Sequence, residues 1–149
     1  YFLGSRFRQV KEIRESGKNV IQDRTIYEDA HIFAENLAEM NLLSERDFNN
    51  YLSVFRLMKD FDSAPDLLIY LRADVPALVR QISKRGREYE AGISIDYLSK
   101  LNNKYQSWIE NYKEGKLLII DVDNLDFVEK QEDFGYILER IDAELNGLF

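Results

Sequence analysis

Apolar and polar residues follow two different periods along the chain. Three short runs are predicted to be strands buried in a parallel sheet, and they are Asn19–Gln22, Leu67–Leu71 and Leu117–Ile120. Longer segments carry apolar residues three and four positions apart, which predicts amphipathic helices. These helices are predicted over residues 2–15, 26–40, 45–62, 75–86, 94–113 and 132–146.

Two helix starts are also indicated by side chains that can cap a helix. Ser44 is followed three residues later by Asp47, a pattern close to a capping box. Asp74 followed by Pro76 gives a similar signal for the next helix. These signals place the helix starts near residues 45 and 75.

Strands that alternate with helices predict an α/β fold, in which a parallel sheet carries helices on both faces. Sheets of this kind usually have about five strands, and the sequence predicts fewer, so we expect one or two more strands upstream of Tyr1. The chain begins without methionine, which we interpret as a truncated start. The absence of repeats and linker-like segments predicts a single domain over residues 1–149.

Composition narrows the classes of function. The formal net charge of −7 argues against a nucleic-acid backbone or an anionic membrane as the main partner. The chain has no cysteine and one histidine, which excludes disulfides and thiolate chemistry and disfavours a metal site built on histidine. No apolar run approaches the ~20 residues of a membrane helix, and a cytoplasmic location is expected.

The segment Asp23-Arg24-Thr25 lies where the first predicted strand gives way to a helix. Open α/β sheets bind ligands at the carboxyl ends of their strands. Asp23 could hold Mg²⁺, and Arg24 offers a planar fork to a phosphate or a sugar oxygen. The alternative is a capped helix with a surface ion pair.

A basic cluster lies at the end of the helix predicted over residues 75–86. It contains Arg80, Lys84, Arg85 and Arg87, and Gly86 interrupts it. Cations at a helix C-terminus are stabilised by the helix dipole, which is the simpler interpretation. Arginines that flank a glycine also suit a lid that closes over a triphosphate.

Alternating acids follow the last predicted strand, in the segment Asp121–Phe127. The segment lacks the glycine and the terminal glutamate of an EF-hand at the required positions, so a calcium site is disfavoured. It is either a loop that packs against a nucleotide base or an inert connection. On the first helix, Arg6 is most simply a solvated arginine.

Together these segments resemble the deoxynucleoside kinase family, which includes the deoxycytidine, deoxyguanosine and deoxyadenosine kinases. The resemblance runs from Tyr1 to about Phe127 and implies a P-loop kinase-like three-layer fold. Its signals, in the order of the family, are Tyr1–Arg6, Asp23–Asp29, Arg85–Ile93 with Asp96–Leu98, and Tyr105–Trp108.

The resemblance implies transfer of the γ-phosphoryl group of ATP to the 5′-hydroxyl of a deoxynucleoside, with Mg²⁺ bridging the phosphates, as a step of nucleotide salvage. We expect a purine deoxynucleoside, deoxyadenosine or deoxyguanosine, and a homodimer formed through helices 2–15 or 45–62. The implied roles are metal binding by Asp23, a contact of Arg24 with the 5′-oxygen, base recognition by Arg6 and Asp29, a contact of Glu90 with the 3′-hydroxyl, phosphate binding by Arg80, Arg85 and Arg87, and a contact of Asp126 and Phe127 with the adenine of ATP.

The sequence departs from the family in two respects. The phosphate-binding Gly-x-x-x-x-Gly-Lys-Ser/Thr motif and the upstream glutamate that serves as general base are absent from these 149 residues, so we expect the chain alone to be inactive. Arg80 also lies one position away from the first lid arginine of many relatives. The alternatives are an enzyme resembling nucleoside monophosphate kinases and a noncatalytic α/β interaction module.

Overall fold

A computed structural model of the chain describes residues 2–59, 64–90 and 92–147. By its internal contacts the chain divides into two compact units, Tyr1–Ser63 and Ala64–Phe149. The organisation as a single domain over residues 1–149 stays a prediction. None of the described helices is long and apolar enough to cross a membrane.

The described part of the first unit is helical. It contains α1 (Phe2–Ser16), α2 (Ile26–Glu28), a π-helical segment (Asp29–Ala34), α3 (Glu35–Glu39) and α4 (Glu45–Lys59). Its buried apolar side chains come mainly from the middle of the unit, and they include Leu3, Val10, Ile26, Tyr27, Ala30, Ile32 and Phe55.

The strand predicted over Asn19–Gln22 is wrong. These residues are irregular, and Ile21 is fully exposed. A strand needs a neighbouring strand to accept and donate its backbone hydrogen bonds. The described residues of the first unit contain no other strand, so an apolar pair such as Val20-Ile21 has nothing to pair with there.

The helix predicted over residues 26–40 is continuous from Ile26 to Glu39, but its middle is wound as a π-helix. Short π-helical segments inside α-helices are rare and are found frequently at functional sites. This segment begins at Asp29, one of the predicted base-recognition residues. No local pattern in the sequence indicates the change in winding.

The helix predicted over residues 45–62 is observed as α4 up to Lys59, and residues 60–62 lie outside the described residues. Its predicted cap is confirmed, because the Ser44 hydroxyl oxygen accepts a hydrogen bond from the Asp47 backbone N–H at 3.1 Å. The Ser44 hydroxyl also donates to the Asp47 carboxylate at 2.6 Å. This hydrogen bond is the main reason that the pKa of Asp47 lies below its usual value.

The second unit is built on two parallel strands, β1 (Leu68–Arg72) and β2 (Leu117–Asp121). Leu68 is paired with Leu117, and Arg72 with Asp121. The second unit also contains α5 (Val75–Arg85), a 3₁₀ turn (Glu88–Glu90), α6 (Ile95–Glu110) and α7 (Gln131–Asn146). The prediction of a mixed α/β fold with a parallel sheet is confirmed for these two strands.

Both faces of this two-stranded sheet carry helices of the same unit. On one face, Leu118 and Ile120 pack with Ala77 of α5 and Ile137 of α7 in the core of the unit. On the other face, the ring of Tyr70 stacks on Tyr105 of α6, with 6.0 Å between the ring centroids. Alternate side chains along each strand thus point to opposite faces of the sheet, and each face packs against different helices.

The limits of α5 follow the sequence signals closely. The Asp74 carboxylate accepts a hydrogen bond from the Ala77 backbone N–H at 2.6 Å, as the predicted cap requires. Gly86 ends the helix in the left-handed conformation, with a φ of 64°, which glycine adopts without steric cost. The arginines before and after Gly86 therefore lie on either side of a helix end.

Candidate functional site

In the first unit, Arg6 and Asp29 form a partly buried ion pair. Nε of Arg6 donates to Oδ2 of Asp29 at 3.0 Å, although the two residues are 23 positions apart in sequence. The side chains are 21% and 15% exposed, respectively. Arg6 also donates from Nη1 to the Gln9 side chain at 3.0 Å and to the Asp23 carbonyl at 3.4 Å. The interpretation of Arg6 as a merely solvated arginine is therefore wrong.

The pair leaves hydrogen-bonding capacity unused. Oδ1 of Asp29 and Nη2 of Arg6 make no hydrogen bond to the described residues. One atom is an acceptor and the other is a donor, so together they can pair with a ligand that presents one donor and one acceptor. A partly buried carboxylate and a guanidinium form strong, directional hydrogen bonds.

Arg24 occupies an unusual backbone conformation next to this pair. Its φ is 63°, a region that residues other than glycine seldom adopt and that is associated with functional sites. Its guanidinium lies over the ring of Phe33, 4.7 Å from the centroid. Asp23 is exposed, and its backbone carbonyl accepts the hydrogen bond from Arg6.

Thr25 and Glu28 form a complete capping box at the start of α2. The Thr25 hydroxyl oxygen accepts from the Tyr27 backbone N–H at 3.1 Å, and the Thr25 backbone N–H donates to the Glu28 carboxylate at 2.8 Å. The Thr25 hydroxyl also donates to the same carboxylate. The structural alternative, a capped helix, thus holds for these two residues. The Thr-x-x-Glu spacing was the signal that identifies the cap.

Tyr51 of α4 is a neighbour of the ion pair that sequence reasoning missed. Burial, together with the nearby Asp29 carboxylate, raises the pKa of its phenol to about 12, and Arg6 acts in the opposite direction. Tyr51 is half-buried, and at neutral pH its hydroxyl is protonated and can donate. No local pattern marks this residue, because its proximity to Asp29 depends on how α4 packs on the π-helical segment.

In the second unit, the Glu90 carboxylate forms ion pairs with both arginines that flank Gly86. Arg85 donates to the two carboxylate oxygens of Glu90, from Nε at 3.0 Å and from Nη2 at 2.7 Å. Nη1 of Arg87 lies 3.6 Å from Oε1 of Glu90 and donates to the Tyr89 hydroxyl at 2.9 Å. The predicted lid residues Arg85 and Arg87 are therefore both in contact with Glu90, the predicted contact of the 3′-hydroxyl.

The segment after β2 is held against α5 and α7. Lys84 donates to the Asp126 carboxylate at 2.8 Å, and Arg80 donates to the Asp123 carbonyl at 3.3 Å. The Asp126 backbone N–H donates to the Asp133 carboxylate at 2.7 Å. The hydrogen bond between Lys84 and Asp126 raises the pKa of the ammonium and lowers the pKa of the carboxyl.

These contacts make the segment a fixed loop, because cations and acids of two helices hold it. Phe127 is partly buried against the core of the unit. The basic cluster divides accordingly: Arg80 and Lys84 hold the loop, and Arg85 and Arg87 face Glu90. Lys84 was part of the predicted basic cluster, but its partner lies 42 residues away.

A cleft of about 410 Å³ lies at the carboxyl ends of β1 and β2. Arg72 and Asp121 face each other across the strands, with Nη2 2.8 Å from Oδ2. This hydrogen bonding raises the pKa of Arg72 and lowers that of Asp121. The other lining residues are Tyr70, Ala73, Asp74, Gln106, Ile109, Glu110, Ile119 and Asp123.

No group of three or more His, Cys, Asp or Glu side chains that could hold a metal ion occurs in residues 2–59, 64–90 or 92–147. The metal role predicted for Asp23 therefore stays a prediction. Mg²⁺ accepts a single carboxylate ligand, because it keeps several water ligands and is commonly bound by one or two carboxylates together with substrate phosphates.

Comparison with known proteins gives a consistent result. Residues 1–146 match the family model described as deoxynucleoside kinase. The chain is 34% identical to a deoxyadenosine/deoxycytidine kinase of Bacillus subtilis, over 95% of this chain and 66% of the relative. It is also 34% identical to a deoxyadenosine kinase of Dictyostelium discoideum, over 99% of this chain and 58% of the relative. The chain thus spans about 58% to 66% of the length of these two curated relatives.

Solved structures extend the similarity to the fold. The deoxyadenosine kinase of M. mycoides with bound dATP superposes with a TM-score of 0.75 at 28% identity, over 95% of this chain and 71% of that chain. The same enzyme with dCMP and a flexible dCDP as products gives a TM-score of 0.77 at 27% identity, over 96% of this chain and 71% of that chain.

Proposed function

Since this chain belongs to the deoxynucleoside kinase family, we propose that its full-length protein transfers the γ-phosphoryl group of ATP to the 5′-hydroxyl of a purine deoxynucleoside, deoxyadenosine or deoxyguanosine. The product is the 5′-monophosphate, made for nucleotide salvage. The family uses ATP and Mg²⁺, and Mg²⁺ supplies charge neutralisation on the transferred phosphates. The protein's contribution is to bind and orient the two substrates and to surround the phosphates with positive charge.

The observation that carries the proposal is the Arg6–Asp29 pair. The fold brings these two residues together from 23 positions apart and keeps both side chains mostly buried. Nη2 of Arg6 can donate to a ring nitrogen or carbonyl of a base, and Oδ1 of Asp29 can accept from an exocyclic amino group or a ring N–H. Adenine, guanine and cytosine carry such an amino group, whereas thymine offers only its ring N–H, so the pair favours a base with an exocyclic amino group.

The phosphate side of the proposal rests on the helix end at Gly86. Arg85 and Arg87 supply two guanidinium groups, which bind phosphate oxygens in a planar, bidentate manner. Arg80 contributes to this side through the loop after β2, to which it is bonded. In this loop, Asp126 and Phe127 contact the adenine of ATP.

The remaining roles fall on residues near the sugar and the reacting phosphate. Asp23 binds Mg²⁺ as a single carboxylate ligand, and Arg24 contacts the 5′-oxygen. The left-handed backbone at Arg24 supports a functional role, because such strain is seldom kept without one. Glu90 accepts a hydrogen bond from the 3′-hydroxyl with lone pairs that Arg85 does not use.

The 149 residues alone are inactive under this proposal, because the phosphate-binding motif and the general base would come from elsewhere in the full-length protein. The homodimer and the cytoplasmic location stay predictions.

The test is an assay of ATP-dependent phosphorylation of deoxyadenosine, deoxyguanosine, deoxycytidine and thymidine. The protein with its encoded upstream residues is compared with the 149-residue chain. We expect activity in the long form, highest with a purine, and none in the short form. Phosphorylation of nucleoside monophosphates in place of nucleosides would overturn the proposal, as would a folded long form that is inactive on every nucleoside.

A further inference from the structure

Glu90 is an acid with an unusual setting. It is only 8% exposed, in a short 3₁₀ turn directly after the helix end at Gly86. Its two arginine partners are far more exposed, with about half of each side chain in contact with solvent. A buried carboxylate thus anchors two guanidinium groups that extend from it toward water.

The geometry of the contacts determines which donors remain available. Arg85 uses the edge formed by Nε and Nη2 on Glu90. Its Nη1 makes no hydrogen bond to the described residues, so its second edge can bind an anion. Arg87 is held near the same carboxylate by Nη1, which also donates to Tyr89. One negative charge shared by two cations reduces their repulsion and leaves a net positive charge.

We propose that Glu90 is a positioning residue for Arg85 and Arg87, which it holds so that their remaining donors bind the oxygens of one polyphosphate. This role rests on the proposed function and is additional to the contact of Glu90 with the sugar 3′-hydroxyl. An anchored guanidinium loses less freedom when phosphate binds. A misplaced one loses the alignment on which transfer depends.

The two roles of Glu90 can be separated by the choice of nucleoside. Glu90→Gln keeps the size of the side chain but removes its charge, and its amide N–H₂ would face a guanidinium donor. The kcat of the full-length enzyme is measured with a deoxynucleoside and with the matching 2′,3′-dideoxynucleoside, which has no 3′-hydroxyl. We expect Glu90→Gln to lower kcat with both substrates, by roughly ten- to a hundredfold.

The matched control is Glu88→Gln. Glu88 is an exposed acid in the same turn, and the structure gives its side chain no hydrogen bond within the described residues. We expect this variant to keep the wild-type kcat. Glu90→Asp retains the charge at a shorter reach, so it should recover part of the activity if the glutamine variant folds poorly. An equal kcat for wild type and Glu90→Gln with the dideoxynucleoside would overturn the positioning role.

A binding measurement keeps this inference distinct from the proposed function. Inorganic tripolyphosphate is titrated into the full-length protein by calorimetry, without nucleoside. We expect Glu90→Gln to weaken binding by about tenfold, even though it removes a negative charge near the anion. Unchanged or tighter binding, or no binding by the wild type, would overturn the positioning role. Failure to phosphorylate any nucleoside, with tripolyphosphate binding weakened as expected, would overturn the proposed function alone.

Discussion

Replacement of Asp29 by alanine is the sharpest test of base recognition. The variant removes the acceptor Oδ1 and also the partner of Nε of Arg6. Arg6 would retain its hydrogen bonds to Gln9 and to the Asp23 carbonyl, so its side chain would be redirected rather than released. A bound base would thus lose the acceptor of Asp29, and the donor of Arg6 would be displaced from it.

The size of the effect follows from the burial of the pair. A hydrogen bond to a charged, mostly buried group contributes about 1.5–3 kcal/mol. Because about 1.4 kcal/mol corresponds to a factor of ten, kcat/KM for the preferred deoxynucleoside should fall roughly 10- to 150-fold. A base that does not use Asp29 should be affected much less. The ratio of kcat/KM values between the best and the worst base should therefore collapse.

The assay measures kcat/KM for four deoxynucleosides with the full-length protein. Asp66→Ala is the control, since it removes an equal side chain from an exposed position. A thermal melt checks that both variants fold, and loss of the partly buried pair should cost stability of about 1 kcal/mol. A folded Asp29→Ala protein with unchanged substrate ratios would refute the role of this residue in base selection.

Three further predictions concern other parts of the chain. Arg87→Ala should lower kcat by about a hundredfold, the scale of a lost contact with developing charge, and retained turnover in stopped-flow assays would remove Arg87 from the phosphate site. Asp29→Asn should lower the pKa of Tyr51 below its value of about 12, because a negative neighbour is removed, while burial, the larger cause, still raises it. The raised pKa also makes the free energy of unfolding of the wild type fall as pH rises through about 10 to 12, since the unfolded chain releases the Tyr51 proton first. The pKa of Tyr51 is measured by ¹³C NMR titration, and equal values in wild type and variant would show that Asp29 has no influence. Phe55→Ala should destabilise the first unit by about 3–5 kcal/mol, because the ring is 3% exposed and packs edge-on against Tyr27. A midpoint of urea unfolding equal to that of the wild type would contradict this.

Local signals in the sequence predicted the bounds of the strands and of α5 in the second unit closely. The runs Leu67–Leu71 and Leu117–Ile120 became β1 and β2 within one residue at each end. Asp74 and Gly86 marked both ends of α5. Caps, glycine conformations and apolar periods act over a few residues, and a single segment therefore contains them completely.

Contacts between distant residues were decided only by the tertiary structure. The apolar pair Val20-Ile21 resembles a strand, but strand formation depends on a neighbour that the described residues of its unit do not supply. Period and propensity indicate which face of an element is apolar, and they do not indicate which element will cover it. The proximity of Tyr51 to Asp29, and the hydrogen bond between Lys84 and Asp126, are set by that packing.

The candidate site shows the same division. The sequence by itself determined the family resemblance and the residue types, because motifs such as Asp23–Asp29 are contiguous. Only the tertiary structure decided that Arg6 is a partner of Asp29 rather than a solvated side chain. It also decided that Arg85 and Arg87 share one buried carboxylate. The physical reason is that the position and the partners of a charged side chain depend on residues that are distant in sequence. These residues come together only when the chain folds.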